Sequence, residues 1–516
     1  MYKKSEPEII ADAPHRLDPD KPYPIMILVK DAHLYPIELL SVKVTLSQNA
    51  KIIYSHTFKF SPEIKISTRY WNKIIEIHFS GGVSSIFGLI QGDVEIISKQ
   101  NGKLHVTRNN NHRFTSKTSL KFFRSRTHLP VINNWIYGDA HTHSTYTEDQ
   151  VEFGSPISAT PKLCKAMGLS FFCVTDHSYD LDDTIDNYLL NDPEIPKWKK
   201  LQSEIDHVNS HENEFAVIRG EEVSCTNSNN SNVHFLLLGN RRFFHGSGDG
   251  GEKWFRTQSE YTIQEILSLK EKNVVTYASH PTEEVPFLQR LLLKRGEWAV
   301  SDMSEKELNG IQILNGETTE SFFRGMDIWK WMLKRGEKKF LLAGNDAHGN
   351  FNRFVQISIP MLSFREKESQ LFGKMKTALF THEISEPAIL EAIGKGRTVV
   401  TNGPLLTIEI ETDSPDTGKI GETVIGNSFV VKLHAETTDE FGKLFSIKIF
   451  YGVIGKNEQK LFEVKEFNNP YSIHTISNWY RTENFSYIRA ELFTLNAHGI
   501  DRDGFCYTNP IWIQPK

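Results

Sequence analysis

Between Val131 and Pro404 short apolar runs alternate with helical segments, and nearly every run ends beside a histidine or a carboxylate. The runs are NWIYGDAHTH, LSFFCVTDH, FAVIRGEEVS, VHFLLLGN, NVVTYASHP, GIQILNGE and KFLLAGNDAH, seven in all. Runs this short, separated by helix-length segments, read as parallel strands in an α/β unit. Three helices have local signals. One begins at Thr160 with Pro161 in its first position and carries Leu163, Ala166 and Met167 on one face. Another begins at Thr262, where Glu265 completes a capping box ahead of Ile266 and Leu267. The third, SFFRGMDIWKWMLKRGEKK, ends in basic residues, as the helix dipole favours.

The flanks have a different texture. Residues 24–126 hold Val-, Ile- and Phe-rich runs separated by polar turns, which predicts a β-sandwich. After Gly403-Pro404 the same pattern returns from Leu405, in a stretch of immunoglobulin-like size. The expected domains are 1–130, 131–404 and 405–516. CTNSNNSNV and HGSGDGGEK read as long mobile loops, and His105, His112 and His128 as surface or structural histidines. A net charge of -5 and a pI near 6.5 argue against a general nucleic-acid or anionic-membrane binder. Four scattered cysteines without CxxC spacing suit a reducing compartment. With no signal-like apolar segment near the start and no membrane-spanning run, the expectation is a cytoplasmic protein that does not engage a membrane. The flanking sandwiches are candidate surfaces for oligomer formation.

His141 and His143 stand two apart on an extended segment, so both side chains leave one face, a spacing that chelates an ion. Two surface histidines would explain that pair alone. They do not explain Asp176-His177, Glu222, His280 and Asp346-His348 at equivalent strand ends, which in a parallel barrel share one face. Imidazoles mixed with carboxylates suit Zn²⁺, Mn²⁺ or Fe²⁺ without discriminating among them. Cys173 and Cys225 read as packing residues, and Asp176 as a residue that orients an imidazole or caps a helix.

The segments YGDAHTHSTYTED, GLSFFCVTDH, GEEVS, ASHP and GNDAH resemble the motifs of the PHP (polymerase and histidinol phosphatase) metallohydrolases, over roughly residues 135–404. GKGRTVVTNGP and CYTNPIWI further resemble the CehA/McbA-type branch, whose first recognised member hydrolyses a carbamate ester. The resemblance implies a distorted (β/α)7 barrel, flanked here by the two sandwiches, and a site of two to three divalent ions. His141, His143 and Asp346 would hold one ion, bridged by Glu222 to a second completed by His234 and His280; Asp149, His177 and His348 would hold the third. Glu148 competes with Asp149 for its place, and Asp149 is preferred. Glu222 is preferred to Glu221, which points to the opposite face of an extended strand.

Three divalent ions against three carboxylates leave positive charge, which favours an anionic substrate and a hydroxide formed where metal lowers the pKa of water to roughly 7. Glu222, His280 and Asp346 are the ligands expected at the reacting centre, and Arg397, Arg353 and Tyr146 the candidate substrate contacts; Asn315 and Glu317 end the sixth strand run as further pocket candidates. The leading expectation is hydrolysis of a small-molecule phosphoester. The alternatives are a carbamate or carboxyl ester hydrolase, a PHP-type nuclease, and a metal-binding module without catalysis.

Overall fold

The computed structural model describes residues 5–81, 84–147, 153–185, 187–246, 248, 258–354, 356–359, 362–365, 370–414, 416–499 and 503–516. The N-terminal unit is two packed layers, antiparallel except where Arg16–Leu17 pairs in parallel with Leu120–Arg124. Glu8–Asp12, Tyr23–Lys30 and Tyr70–Ile77 form one sheet; the other is built around Ile37–Gln48 and Gly88–Gln100. Along Gly88–Gln100 the inward positions Ile90, Val94 and Ile96 alternate with outward Gln91 and Asp93, the period-two pattern of a half-buried strand. Tyr23 stacks on Phe122 between the layers, with ring centroids 3.7 Å apart.

All seven runs of the central segment are strands: β1 (Trp135–Thr142), β2 (Phe171–Val174), β3 (Ala216–Thr226), β4 (Asn232–Leu238), β5 (Val275–Ala278), β6 (Gly310–Asn315) and β7 (Phe340–Gly344). Two more follow, β8 (Lys376–Phe380) and β9 (Thr398–Thr401). Helices form at Thr160–Ala166, at Ile263–Leu269 with the Thr262/Glu265 capping box, and at Glu320–Lys334.

The expected (β/α)7 barrel is not what these strands build. Their order is β7-β6-β5-β4-β3-β2-β1-β8-β9, and the ladder continues from β9 into Phe505–Thr508 and the C-terminal strands, making a sheet of 15 strands. Only β1-β2-β3 and β5-β6-β7 pair in parallel; β3-β4, β4-β5, β1-β8 and β8-β9 are antiparallel. The described residues are 44% strand and 14% helix, which is a β-rich protein and not an alternating βα one.

The reason lies in the β3–β4 connection. A parallel crossover needs a dozen or more residues, but only residues 227–231 separate these strands. Asn227 Oδ1 accepts from the backbone N–H groups of Asn229 and Ser231 at 3.0 and 2.9 Å, closing a tight hairpin turn where a long loop was expected. HGSGDGGEK lies largely outside the described residues. The sheet also curls: Thr377 Oγ1 of β8 accepts from Ala343 N (2.9 Å) and donates to Ala343 O (2.8 Å) of β7.

The C-terminal unit packs a second sheet, Leu405–Thr412 with Ser428–Glu436 and their neighbours, against the strands that extend the central sheet. No helix among the described residues is long and apolar enough to cross a membrane.

One guanidinium touches all three units. Arg16 Nε donates to Glu440 Oε1 at 2.8 Å, Nη1 donates to Met167 O at 2.7 Å, and Asp18 completes its carboxylate partners. All three charged side chains are at most 5% exposed. Removing one member of a buried ion pair leaves an uncompensated charge and costs about 3–5 kcal/mol. Arg16→Met is therefore expected to lower the unfolding free energy measured by denaturant titration by that order, with a lower midpoint, and Glu440→Gln, which leaves Arg16 its Asp18 partner, by less. Equal midpoints for parent and Arg16→Met would show that this link does not hold the units together.

Candidate metal centre

The C-terminal end of β1 carries His141 and His143 on one face, with ring centroids 5.2 Å apart. The chain leaving β7 folds against them: Asp346 N donates to His141 O (3.0 Å), and His143 N donates to Ala347 O (2.8 Å). Gly344 permits this approach, because a Cβ there would lie 2.4 Å from His141 Cβ. His177 follows β2 and bridges to Glu222 of β3, whose N–H donates to Asp176 O at 3.1 Å. In the β3–β4 hairpin Ser224 faces His234 and Glu222 faces Leu236, so Glu222 and His234 are diagonal neighbours on one face. His280 follows β5. Two of these residues are held in the left-handed region, His280 at φ 28° and Asp346 at φ 52°. Such conformations cost about 1–3 kcal/mol each and persist where the surroundings impose them.

Glu222 is fully buried, and its two oxygens face different imidazoles. Oε1 lies 3.1 Å from His234 Nδ1 and 3.4 Å from His280 Nε2. Oε2 lies 3.1 Å from His177 Nδ1, 3.4 Å from His141 Nε2 and 3.6 Å from His143 Nε2. Asp346 Oδ1 is 2.9 Å from His143 Nε2 and 3.3 Å from His141 Nε2, and its Oδ2 is 3.8 Å from His280 Nε2. Among the described residues three donor sets result: His141, His143, Glu222 and Asp346; His177, Glu222 and His234; and His143, His177 and His348, the donor atoms of each within 4.8 Å of one another.

These donors fit a shared cation better than one another. The Nε2 atoms of His141 and His143 face each other at 3.3 Å, and at most one proton can lie between them. His177 Nδ1, Glu222 Oε2 and His280 Nε2 are buried yet make no hydrogen bond of acceptable geometry among the described residues. Buried polar atoms are rarely left so without a ligand or ion.

The charges are strongly coupled. Burial lowers the pKa of His141, but the Glu222 and Asp346 carboxylates outweigh it and push the group up to about 9. Burial, then the charge of His177, pushes His143 down to about 4. Burial opposes ionisation of Glu222, yet His234 and His141 hold it well below the usual carboxylate range. Asp346 is held there, against burial, by His141 and His143.

Buried neighbours aim the donors. Asp176 accepts from Ser144 N and Oγ, both at 2.7 Å, and from Thr147 N (2.9 Å) and Oγ1 (2.8 Å). Thr147 Oγ1 in turn lies 3.3 Å from His143 Nδ1, so Asp176 orients an imidazole through the threonine. Asp139 Oδ2 accepts from Asn345 Nδ2 (2.6 Å) and Gly373 N (2.8 Å), tying the end of β1 to the turn that carries Asp346. Sequence reasoning missed Thr147, Asp139, Ser279 and Gln312. The one available signal for Gln312 is a lone amide inside the apolar run GIQILN of β6.

The remaining expected residues fall as follows. Glu148 and Asp149 lie outside the described residues. His234 and His280 both approach Glu222 Oε1, and His177 groups with Glu222 and His234 as well as with His143 and His348. Glu221 faces away and accepts from Asn240 Nδ2 (2.6 Å) and Phe244 N (3.1 Å). Tyr146 donates its hydroxyl to Glu204 (2.9 Å). The Arg353 guanidinium is buried against the N-terminal sandwich, donating to Ala11 O (2.9 Å) and to Thr118 O. Arg397 lies at the opposite end of β1 from the histidines: its O accepts from Phe380 N, Phe380 pairs with Trp135, and its side chain reaches Glu422 (3.3 Å). Asn315 donates to Glu283 (3.2 Å), which lies 3.4 Å from His280 Nδ1. Cys173 and Cys225 are buried and belong to none of the donor sets.

No protein-family model and no curated protein matches the chain. Among solved structures, a β-D-mannosidase from Dictyoglomus thermophilum aligns with 97% of this chain and 66% of its own, at 8% identity and a TM-score of 0.26. A Paenibacillus cycloisomaltooligosaccharide glucanotransferase aligns with 98% of this chain and 71% of its own, at 10% identity and a TM-score of 0.19. A Parabacteroides merdae β-glucuronidase aligns with 98% of this chain and 63% of its own, at 8% identity and a TM-score of 0.18. The chain thus spans just under two thirds of the mannosidase and the glucuronidase. Likenesses of this size do not establish a common fold.

A ligand that binds only the folded chain stabilises it, by about 2.7 kcal/mol at a hundred times its dissociation constant. Chelator treatment is expected to lower the melting temperature, and Zn²⁺ or Mn²⁺ to restore it. His141→Ala should lower the bound-metal content measured by elemental analysis; unchanged content would remove His141 from the site.

Proposed function

We propose that this chain is a metal-dependent hydrolase of ester bonds acting on a small phosphoester, with ligand motifs of the PHP type. The observation that carries this reading is Glu222, a buried carboxylate whose two oxygens face separate groups of imidazoles. Divalent ions held there would supply Lewis acidity and lower the pKa of a coordinated water to roughly 7. His141, His143, Asp346 and Glu222 are suited to hold one ion, and His177, His234, His280 and Glu222 another.

The site's electrostatics favour an oxyanion. Two divalent ions bring four positive charges, and Glu222 and Asp346 return two, leaving a surplus of two. Asp346, with its side chain 14% exposed, is nearer solvent than His141, His143 or Glu222, all at 0%. Substrate is therefore expected to approach past Asp346 and past His177 and His280, at 9% and 8%. A protein nucleophile is not called for: the Ser144 hydroxyl is spent on Asp176, and Ser279 Oγ donates to Glu222 Oε1 at 2.7 Å.

The test is hydrolysis of p-nitrophenyl phosphate by metal-loaded protein, compared with naphthyl acetate and a naphthyl carbamate. Turnover of the phosphate ester alone is expected; cleavage of the acetate or carbamate without the phosphate would overturn the phosphoester assignment. Glu222→Gln should lower kcat/KM by more than about 100-fold, since even partners outside the ligand set cost 10–100-fold. It should exceed the loss in His348→Ala, because Glu222 faces two sets of donors. Equal losses would count against a bridging carboxylate.

A further inference from the structure

Gln312 sits between Ile311 and Ile313 on β6, and its side chain is fully buried. An amide placed in an apolar strand costs free energy unless its groups are paired. Here both ends are used. Nε2 donates to Leu314 O at 3.2 Å, and Oε1 lies 2.7 Å from His141 Nδ1. Turning the amide over would set its oxygen against the Leu314 carbonyl, so Oε1 is the atom that faces His141 and it can only accept. His141 consequently carries a proton on Nδ1, which leaves Nε2 to face Glu222, Asp346 and His143.

Ser279 completes the arrangement. Its Oγ lies 2.7 Å from Glu222 Oε1, 3.2 Å from Gln312 Oε1 and 3.4 Å from His141 Nδ1. The hydroxyl has one proton, and the shortest contact, to an ionised carboxylate, takes it. Glu222 Oε1 is thereby held from one side, with Oε2 turned toward His141, His143 and His177.

We propose that Gln312 and Ser279 are positioning residues that determine in advance which atoms of His141 and Glu222 are offered to an ion: Nε2 of the imidazole and a carboxylate with Oε2 left open. This rests on the metal-centre reading above. It adds a specific coordination atom and two residues outside the ligand set: Ser279, within the ASHP segment but not a ligand, and Gln312, outside every ligand motif. The physical basis is general: a ligating imidazole is a better and better-aimed donor when its other nitrogen is hydrogen-bonded to an acceptor.

The experiment uses the full chain loaded with Zn²⁺ and labelled with ¹⁵N-histidine. In the parent protein His141 is expected to coordinate through Nε2 and to show a hydrogen-bonded Nδ1 proton; coordination through Nδ1 overturns the inference. Zinc affinity is then measured by competition with a chromophoric chelator. Gln312→Met should weaken binding by about 10–100-fold, with Ser279→Ala smaller in the same direction. Gln312→Glu keeps an acceptor opposite Nδ1 and should restore binding toward the parent value, which a purely structural role for the amide would not predict. Parent-like affinity in Gln312→Met removes the positioning role while leaving the hydrolase reading intact. A parent protein that takes up no zinc or manganese instead fails the metal reading, and this inference with it. If Gln312→Met does not fold, the parent spectrum and Gln312→Glu still decide.

Discussion

A fully buried carboxylate is costly unless charges and hydrogen bonds around it repay the lost solvation. Glu222 meets that requirement with four strand ends and one hairpin. Ser279 donates to it, and five imidazoles stand within 3.6 Å of its oxygens. Each imidazole is useful only if its lone pair points inward, so the constraint passes outward to Thr147 and Asp176 behind His143, and to Gln312 behind His141. The left-handed backbone at His280 and Asp346 belongs to the same arrangement, since both residues bring their donors in from beyond the ends of their strands.

The rest of the fold keeps those strand ends in place. Gly344 and Asp139 hold the chain leaving β7 against β1. Beyond His348, the segment Phe351–Arg353 is clamped to the N-terminal sandwich: Phe351 N donates to Asp12 (2.8 Å), and Asn352 exchanges bonds with the Lys121 backbone at 2.9 and 2.7 Å. The flanking sandwiches are thus continuous with the site's scaffold. One supplies acceptors and donors to the segment next to a candidate ligand, and the other extends the sheet that carries β1.

Much of the candidate site was legible because its chemistry is local in sequence. His141 and His143 share a face by strand periodicity alone, and Glu221 and Glu222 are separated by the same rule. Capping residues located helices for a similar reason, as the Thr262/Glu265 box shows. Arginine roles were not legible. Arg353 and Arg397 stand near motif residues in the chain, yet one guanidinium is consumed by carbonyls of the N-terminal sandwich and the other lies at the far end of β1. Tyr146 likewise lies close to His143 in sequence and gives its hydroxyl to Glu204.

By itself the sequence determined which segments are strands and which side chains are available as metal donors, since both follow from residue type and a spacing of one or two positions. Tertiary structure alone decided the pairing of those strands. The five-residue turn at 227–231 makes β3 and β4 antiparallel, and β8 and β9 carry the sheet into the C-terminal unit, so a mixed sheet forms where a parallel barrel was expected. Hydrophobic periodicity records whether a strand face is buried. It contains no record of which strand occupies the edge, nor of which buried amide, such as Gln312, will meet an imidazole 171 residues away in the chain.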